Sequence, residues 1–151
     1  MSFVFETLSE KDLDQCVNVI LSSMGEKLLP IHRDKETIKR LIYGAHVLTL
    51  VAKRGNRIVG LISGTMLIPP NIGFLDVADD QSAREGLGEQ LIDKFLEAVK
   101  KRLPKAPFIA TTLATDNTGG ISLYSGKGFM IEGFIKEGMM GKDVVLLRKR
   151  L

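Results

Sequence analysis

The residues best suited to chemistry in this sequence are a pair of glycines and a few polar side chains set in apolar surroundings. In "AREGLGEQLIDKF" (83–95), Gly86 and Gly88 stand directly before a run with helical spacing. Glycine costs about 1 kcal/mol relative to alanine inside a helix, so bare backbone there needs a reason. A polar loop, glycines and then a helix can cradle an anion. The first helical turn has free N–H groups, the helix dipole adds partial positive charge, and glycine lets oxygens approach the backbone. Arg84, Glu85, Gly86, Leu87, Gly88 and Glu89 form a candidate cradle of this kind. The same glycines would also serve a tight turn, and the pattern does not choose between the two. Two sharper phosphate motifs are excluded. Leu91 stands where the dinucleotide fingerprint needs its third glycine. "GGISLYSGKG" (119–128) misses both the spacing and the hydroxyl of a P-loop.

Asp76 is an acid within an otherwise apolar run of Ile72, Phe74, Leu75 and Val77. A carboxyl in such surroundings is raised toward the range useful to a base, whereas one facing solvent or capping a backbone group does no chemistry. Cys16 falls on the inner face of a helical pattern and reads as a packed thiol. Two histidines, His32 and His46, and this one cysteine give no metal-ligand spacing.

The elements that must position these residues follow from periodicity. Residues 3–7 read as a strand, and Ser9 with Asp12 resembles a capping box. Leu13, Cys16, Val17, Ile20, Leu21 and Met24 then recur at helical spacing up to a stop at Gly25. A second helix is expected over 34–43, with Ile38, Leu41 and Ile42 inward. Residues 46–53 and 57–67 read as a hairpin about Arg54-Gly55-Asn56, and 71–78 as a further strand. After Gly88, the residues Leu91, Ile92, Phe95, Leu96, Val99 and Leu103 hold one apolar face until Pro104. A buried strand at 107–115, a short helix over 121–127 and a terminal hairpin complete the order β-α-α-β-β-β-α-β-α-β-β. That order is mixed α/β or α+β. No repeat, linker or low-complexity segment interrupts it, so residues 1–151 are expected to form one domain.

A chain of 151 residues buries roughly 70% of its unfolded surface and can hold a core without staples. The single cysteine excludes an internal disulfide and fits a reducing compartment. The N-terminal residues lack the pattern of a secretory signal, and no apolar run reaches membrane-spanning length. The expected location is cytoplasmic, with no membrane partner. A net charge of +3 and a pI near 9.0 favour an anionic small molecule and are too scattered for nucleic acid.

A second segment adds to the first. "TDNTGGISLYSGKGF" (115–129) follows a strand, opens a short helix at an asparagine and carries a tyrosine seven residues later. Together with "LDVADDQSAREGLGEQL" and the element order, it closely resembles the GNAT superfamily of acetyl-CoA-dependent N-acetyltransferases, over most of the chain. The resemblance implies a mostly antiparallel twisted sheet of about seven strands flanked by about four helices. It implies that acetyl-CoA lies along Asp76, Val77 and Ala78, whose backbone would pair with the pantetheine arm much as an added strand does. The pyrophosphate would sit on Arg84 to Glu89, with Asn117 contacting the cofactor and the Tyr124 hydroxyl near the thioester sulfur. The acceptor would be a primary amine on a small molecule or a protein N-terminus. GNAT proteins are often dimers, so a homodimer is an expected assembly.

Two departures from the family pattern stand out. Ala83 occupies the place where Arg or Gln usually precedes the first glycine by three residues, although Arg84 could supply a charge. Related ribosomal-protein N-acetyltransferases carry a glutamate five residues before the asparagine, and here that position is Thr112. The implied reaction needs an acid for the departing thiolate, for which Tyr124 is the candidate, the alternative being a core tyrosine. It also needs a base. Asp76 is the first candidate, with a water chain, Glu132 or Glu26 as alternatives. A non-catalytic module that binds acetyl-CoA is the competing function, and a domain binding another nucleotide is a third. The stretch 22–36 is expected to wall the acceptor pocket.

Overall fold

The computed structural model describes residues 3–24, 34–139 and 141–151. Along them run β1 (Val4–Thr7), a 3-10 turn (Glu10–Asp12), α1 (Leu13–Met24), α2 (Lys35–Ile42), β2 (Val47–Arg54), β3 (Arg57–Thr65) and β4 (Asn71–Val77). Then follow α3 (Asp80–Arg84), α4 (Leu87–Arg102), β5 (Phe108–Ala114), α5 (Thr118–Gly126), β6 (Met130–Met139) and β7 (Lys142–Arg150). The strands form one sheet in the order β1-β2-β3-β4-β5-β7-β6. Among the described residues the β4–β5 pair is parallel and the other five pairs are antiparallel.

Strand β3 is buried from Ile58 to Gly64, as an unbroken apolar run requires when both sheet faces are covered. Its consecutive residues Leu61 and Ile62 belong to different cores. Leu61 packs with Cys16, Val17 and Ile20 of α1 and with Ile38 and Ile42 of α2. Ile62 packs with Leu91, Ile92, Phe95 and Val99 of α4, and that cluster extends to Tyr124 of α5 and to Phe129. Since strand side chains alternate between faces, α1 and α2 cover one face and α4 and α5 the other.

Several expectations are corrected. The loop before the glycines contains an additional helix, α3, whose N-cap Asp79 accepts from Ser82 N at 2.7 Å. Helix α4 starts at Leu87 rather than after Gly88. Leu41 is exposed while Ile38 and Ile42 are buried, because only the latter two meet the sheet and α1. The capping box at Ser9 does not form: the Ser9 hydroxyl donates to Asp12 Oδ2 at 3.3 Å rather than accepting from the backbone, and the same oxygen meets Lys53 Nζ at 2.7 Å. The expected stop at Gly25, and Glu26 and His32 within the expected acceptor wall, lie outside the described residues. Among the described residues no helix is long and apolar enough to cross a membrane.

The β3–β4 pairing leaves no room for a side chain at Gly64. A Cβ there would meet the Asn71 carbonyl oxygen and stand 2.7 Å from Phe95 Cζ. Gly64→Ala should therefore destabilise the fold by about 1–3 kcal/mol, read as a thermal midpoint several degrees lower. Gly119→Ala, whose Cβ would meet nothing within 4 Å, should leave the midpoint unchanged or slightly raised.

Candidate active site

Strand β4 carries one residue more than β3 can pair. Ser63 is opposite Phe74 and Gly64 is opposite Ile72, which leaves Gly73 as the extra residue of a bulge. A regular strand would put Ile72 and Phe74 on one face. The bulge separates them: Ile72 joins the α4 core and Phe74 the α1 core. Downstream, Leu75 and Val77 pack on the α4 side. Asp76 turns under α1, where Ser23 Oγ donates to its Oδ2.

The sheet opens beside this bulge. β4 and β5 pair only at Asn71–Ala110 and Ile72–Thr111, although β4 continues to Val77 and β5 to Ala114. β5 instead keeps full register with β7, so the gap lies between two well-ordered half-sheets. Ala78 N donates to Val59 O at 2.8 Å. Alternation along the strand therefore turns the backbone of Asp76 and Ala78 toward β3, and that of Leu75 and Val77 toward the gap. Of the three residues, Val77 turns its main-chain groups to the gap, as Leu75 does, while Ala78 commits its N–H to Val59.

At the apex of the gap, Thr111 Oγ1 donates to Ile72 O at 3.0 Å, and the same hydroxyl meets the Tyr124 phenol. Tyr124 is 2% exposed. Phe129 stacks edge-on against it with ring centroids 5.1 Å apart, and Phe129 N donates to Tyr124 O at 3.1 Å. Burial pushes the phenol well above its ordinary pKa, and the Thr111 contact opposes this only in part. A phenol so placed stays protonated at neutral pH and can act as a donor.

At the other end of the gap, a cavity of about 380 Å³ is lined by Val77, Ala83, Gly88, Glu89, Gly119, Ser122 and Leu123. It lies where the N-terminal turns of α4 and α5 meet. The two glycines of the cradle differ in role. Gly86, the N-cap of α4, has φ 80° and ψ 25°, a left-handed conformation that side chains other than glycine rarely adopt. Gly88 is buried, and a Cβ on it would stand 2.9 Å from Leu123 Cδ2; it lets α5 approach α4. Leu87 puts its side chain in the core, so only its backbone can serve the cavity. Arg84 is exposed on the last turn of α3. Glu85 is taken by Arg54 Nη2 at 2.6 Å. Asn117 caps α5, its side-chain oxygen accepting from Gly120 N at 3.0 Å.

Of the remaining candidates, Cys16 is fully buried, and burial pushes its thiol up to about 12, so it is not a nucleophile. His46 is exposed, and Glu132 pairs with Arg148 at 2.5 Å. Among the described residues no group of His, Cys, Asp and Glu could hold a metal ion. Gly119, Ser122 and Leu123 were missed by sequence reading. Their signal was the helical spacing of α5, which puts them on one face and Tyr124 on another.

The sequence profile of the Acetyltransferase (GNAT) family matches residues 15–129. Among solved structures, the ribosomal-protein-S18-alanine N-acetyltransferase from Escherichia coli superposes with a TM-score of 0.83 at 15% identity, covering 99% of this chain and 94% of that one. Ard1 from Thermoplasma volcanium gives 0.82 at 19% identity over 100% and 99% of the two chains. NAA60 from Arabidopsis thaliana, in complex with acetyl-CoA, gives 0.81 at 13% identity over 99% of each. A sequence search of curated proteins gave no match.

The buried phenol gives a direct prediction. In an alkaline absorbance titration, Tyr124 should ionise above the ordinary tyrosine range near pH 10, and Tyr124→Phe should remove that late component. As pH rises past about 10, the unfolded chain releases this proton while the folded chain keeps it, so stability falls there. Denaturant melts of the parent and Y124F at about pH 9 and about pH 11 should show a steeper loss for the parent.

Proposed function

Because the chain belongs to the GNAT acetyltransferase family, we propose that it transfers the acetyl group of acetyl-CoA to a primary amine by direct attack in a ternary complex. The observation that carries this reading is the gap beyond Ile72 and Thr111, which runs from the Tyr124 phenol to the cavity at the α4 and α5 N-termini. The five steps of strand from Ile72 to Val77 span about 16 Å, a run suited to an extended pantetheine arm. The main-chain groups of Leu75 and Val77 would receive it. The pyrophosphate fits the helix end: Gly86 holds a left-handed turn, Gly119 leaves open space, and unpaired N–H groups of a first helical turn favour anions. Arg84 and Glu89 border this end, and Ala83 removes the side chain the family usually offers there. Asn117 would hold α5 in place and present its amide NH2 to the ligand.

Acetyl-CoA supplies an activated acyl group: the amine nitrogen bonds to its carbonyl carbon as the carbon–sulfur bond breaks. The neutral amine must then lose one proton as the sulfur gains one, and an acceptor that arrives as the ammonium must first give up a further proton to water. Tyr124 is the proposed donor to sulfur, since its burial keeps the phenol neutral and the Thr111 contact holds the phenol at the apex of the gap. Asp76 is the proposed acceptor of the amine proton. It lies on the α1 face of β4, across the strand from the Tyr124 side, so the acceptor amine would enter from that face. Lysine-like amines are mostly protonated at neutral pH, with pKa near 10.4, so a nearby carboxylate has a task.

Calorimetry with acetyl-CoA is the first test, followed by release of free CoA with a panel of small amines and peptide N-termini. The parent should bind in the micromolar range and Gly86→Val should not. Tyr124→Phe should keep its affinity and lose about a hundredfold or more in kcat. Binding without CoA release from any amine would make the protein an acetyl-CoA-binding module instead. Absence of binding would overturn both readings.

A further inference from the structure

The turn proposed to hold the pyrophosphate is acidic. Residues 79–89 contain Asp79, Asp80, Glu85 and Glu89 against Arg84 alone. An anion arriving there meets like charge, which opposes binding unless it is compensated. The β2–β3 hairpin supplies the compensation from a distant part of the sequence. Arg54 ends β2 with its side chain 16% exposed; its Nη2 stands 2.6 Å from Glu85 Oε2 and 3.4 Å from Ser82 Oγ. The ring of Phe3 covers the guanidinium, with 4.9 Å between Cζ and the ring centroid. Arg57, opposite Arg54 in the hairpin, reaches Asp79 Oδ2 at 3.3 Å.

Glu85 is tied down at more than one point. Its other carboxylate oxygen accepts from Gln81 Nε2 at 3.2 Å, and its main-chain oxygen accepts from Gln90 Nε2 at 3.3 Å. Gly86, in its left-handed conformation, follows directly. The Arg54 guanidinium also holds the Glu85 carboxyl below its ordinary range, so Glu85 is an anion at neutral pH and requires its partner. An exposed ion pair would contribute little. This one is mostly enclosed on the arginine side and belongs to a network.

We infer that Arg54 is a positioning residue for the acetyl-CoA pyrophosphate, acting through Glu85 to fix the turn at Gly86 and to neutralise a carboxylate beside the anion site. This rests on the acetyl-CoA reading of the cavity. It assigns the β2–β3 hairpin, which touches neither reacting atom, a part in cofactor affinity. It also gives a reason why the turn can dispense with a basic side chain at Ala83: the positive charge comes from below the turn rather than from within it.

The test uses the full chain with Arg54→Gln, Arg54→Lys and the Arg54→Gln/Glu85→Gln pair. Amide hydrogen exchange without ligand reads the turn, and calorimetry with acetyl-CoA reads affinity. For Arg54→Gln, exchange over 84–90 should quicken while β5 is unchanged. Affinity should weaken roughly tenfold with kcat little altered. Arg54→Lys should recover part of the affinity, and the paired substitution should recover more than Arg54→Gln alone, because the uncompensated carboxylate is gone. Unchanged exchange and unchanged affinity in Arg54→Gln would overturn the inference. So would faster exchange across the whole chain with kcat and affinity falling together, which would mark a folding role. A parent that binds no acetyl-CoA would overturn the functional reading and the ligand half of this inference; the exchange arm needs no ligand and would still decide whether Arg54 fixes the turn.

Discussion

β4 has to satisfy two incompatible demands, and the bulge at Gly73 is how it does so. On one side it must pair with β3, and on the other it must leave β5 after two residues. A regular strand would carry Ile72, Phe74 and Asp76 on one face. Inserting Gly73 reverses the facing of everything after it, so Asp76 goes under α1 while Leu75 and Val77 face the α4 core. The same residue thus decides which carboxylate is enclosed with α1 and which main-chain groups line the gap. Gly64 makes the close pairing tolerable on the β3 side, where a side chain would collide with the Asn71 carbonyl oxygen.

The gap is stable because each edge of it is held elsewhere. β5 is paired along its length with β7, and β4 with β3. At the apex, Thr111 links the two half-sheets through its bond to Ile72 O and meets Tyr124 as well. The α5 helix that carries Tyr124 is fixed to α4 by the Gly88–Leu123 approach and by the Lys127–Asp93 ion pair at 2.8 Å. The N-termini of two helices are thereby brought together with their unpaired N–H groups. This concentrates partial positive charge above a turn whose own side chains are mostly acidic, and the two arginines of the β2–β3 hairpin meet that acidity.

Much of the site was legible in the sequence because its signals are local. A glycine in a left-handed N-cap, an asparagine that caps a short helix, and a tyrosine at fixed spacing from it are each set by residues within one or two turns. The long apolar stripe of α4 and the continuous run of β3 are local in the same sense. What could not be read were consequences of contact between distant segments. Gly88 reads as part of the anion cradle, and it lines the cavity there, but its lack of a side chain is also what lets Leu123 of α5 pack against α4. Leu41 fits the helical pattern of α2 but falls outside the surface that α2 buries. Ser9 and Asp12 have the form of a capping box, yet their side chains bond to each other and to Lys53 of the neighbouring β2 rather than to the backbone of the turn.

By itself the sequence determined the element order apart from α3, the glycine turn at Gly86, the cap at Asn117 and the family, because these depend on local propensity and spacing along the chain. The tertiary structure alone decided which way Asp76 and Val77 face, how far the β4–β5 gap extends, and that Arg54 lies under Glu85. Those depend on register and on through-space proximity. A one-residue shift in pairing reverses every side chain beyond it, and Arg54 and Glu85 become neighbours only once the sheet has brought the hairpin beneath the turn.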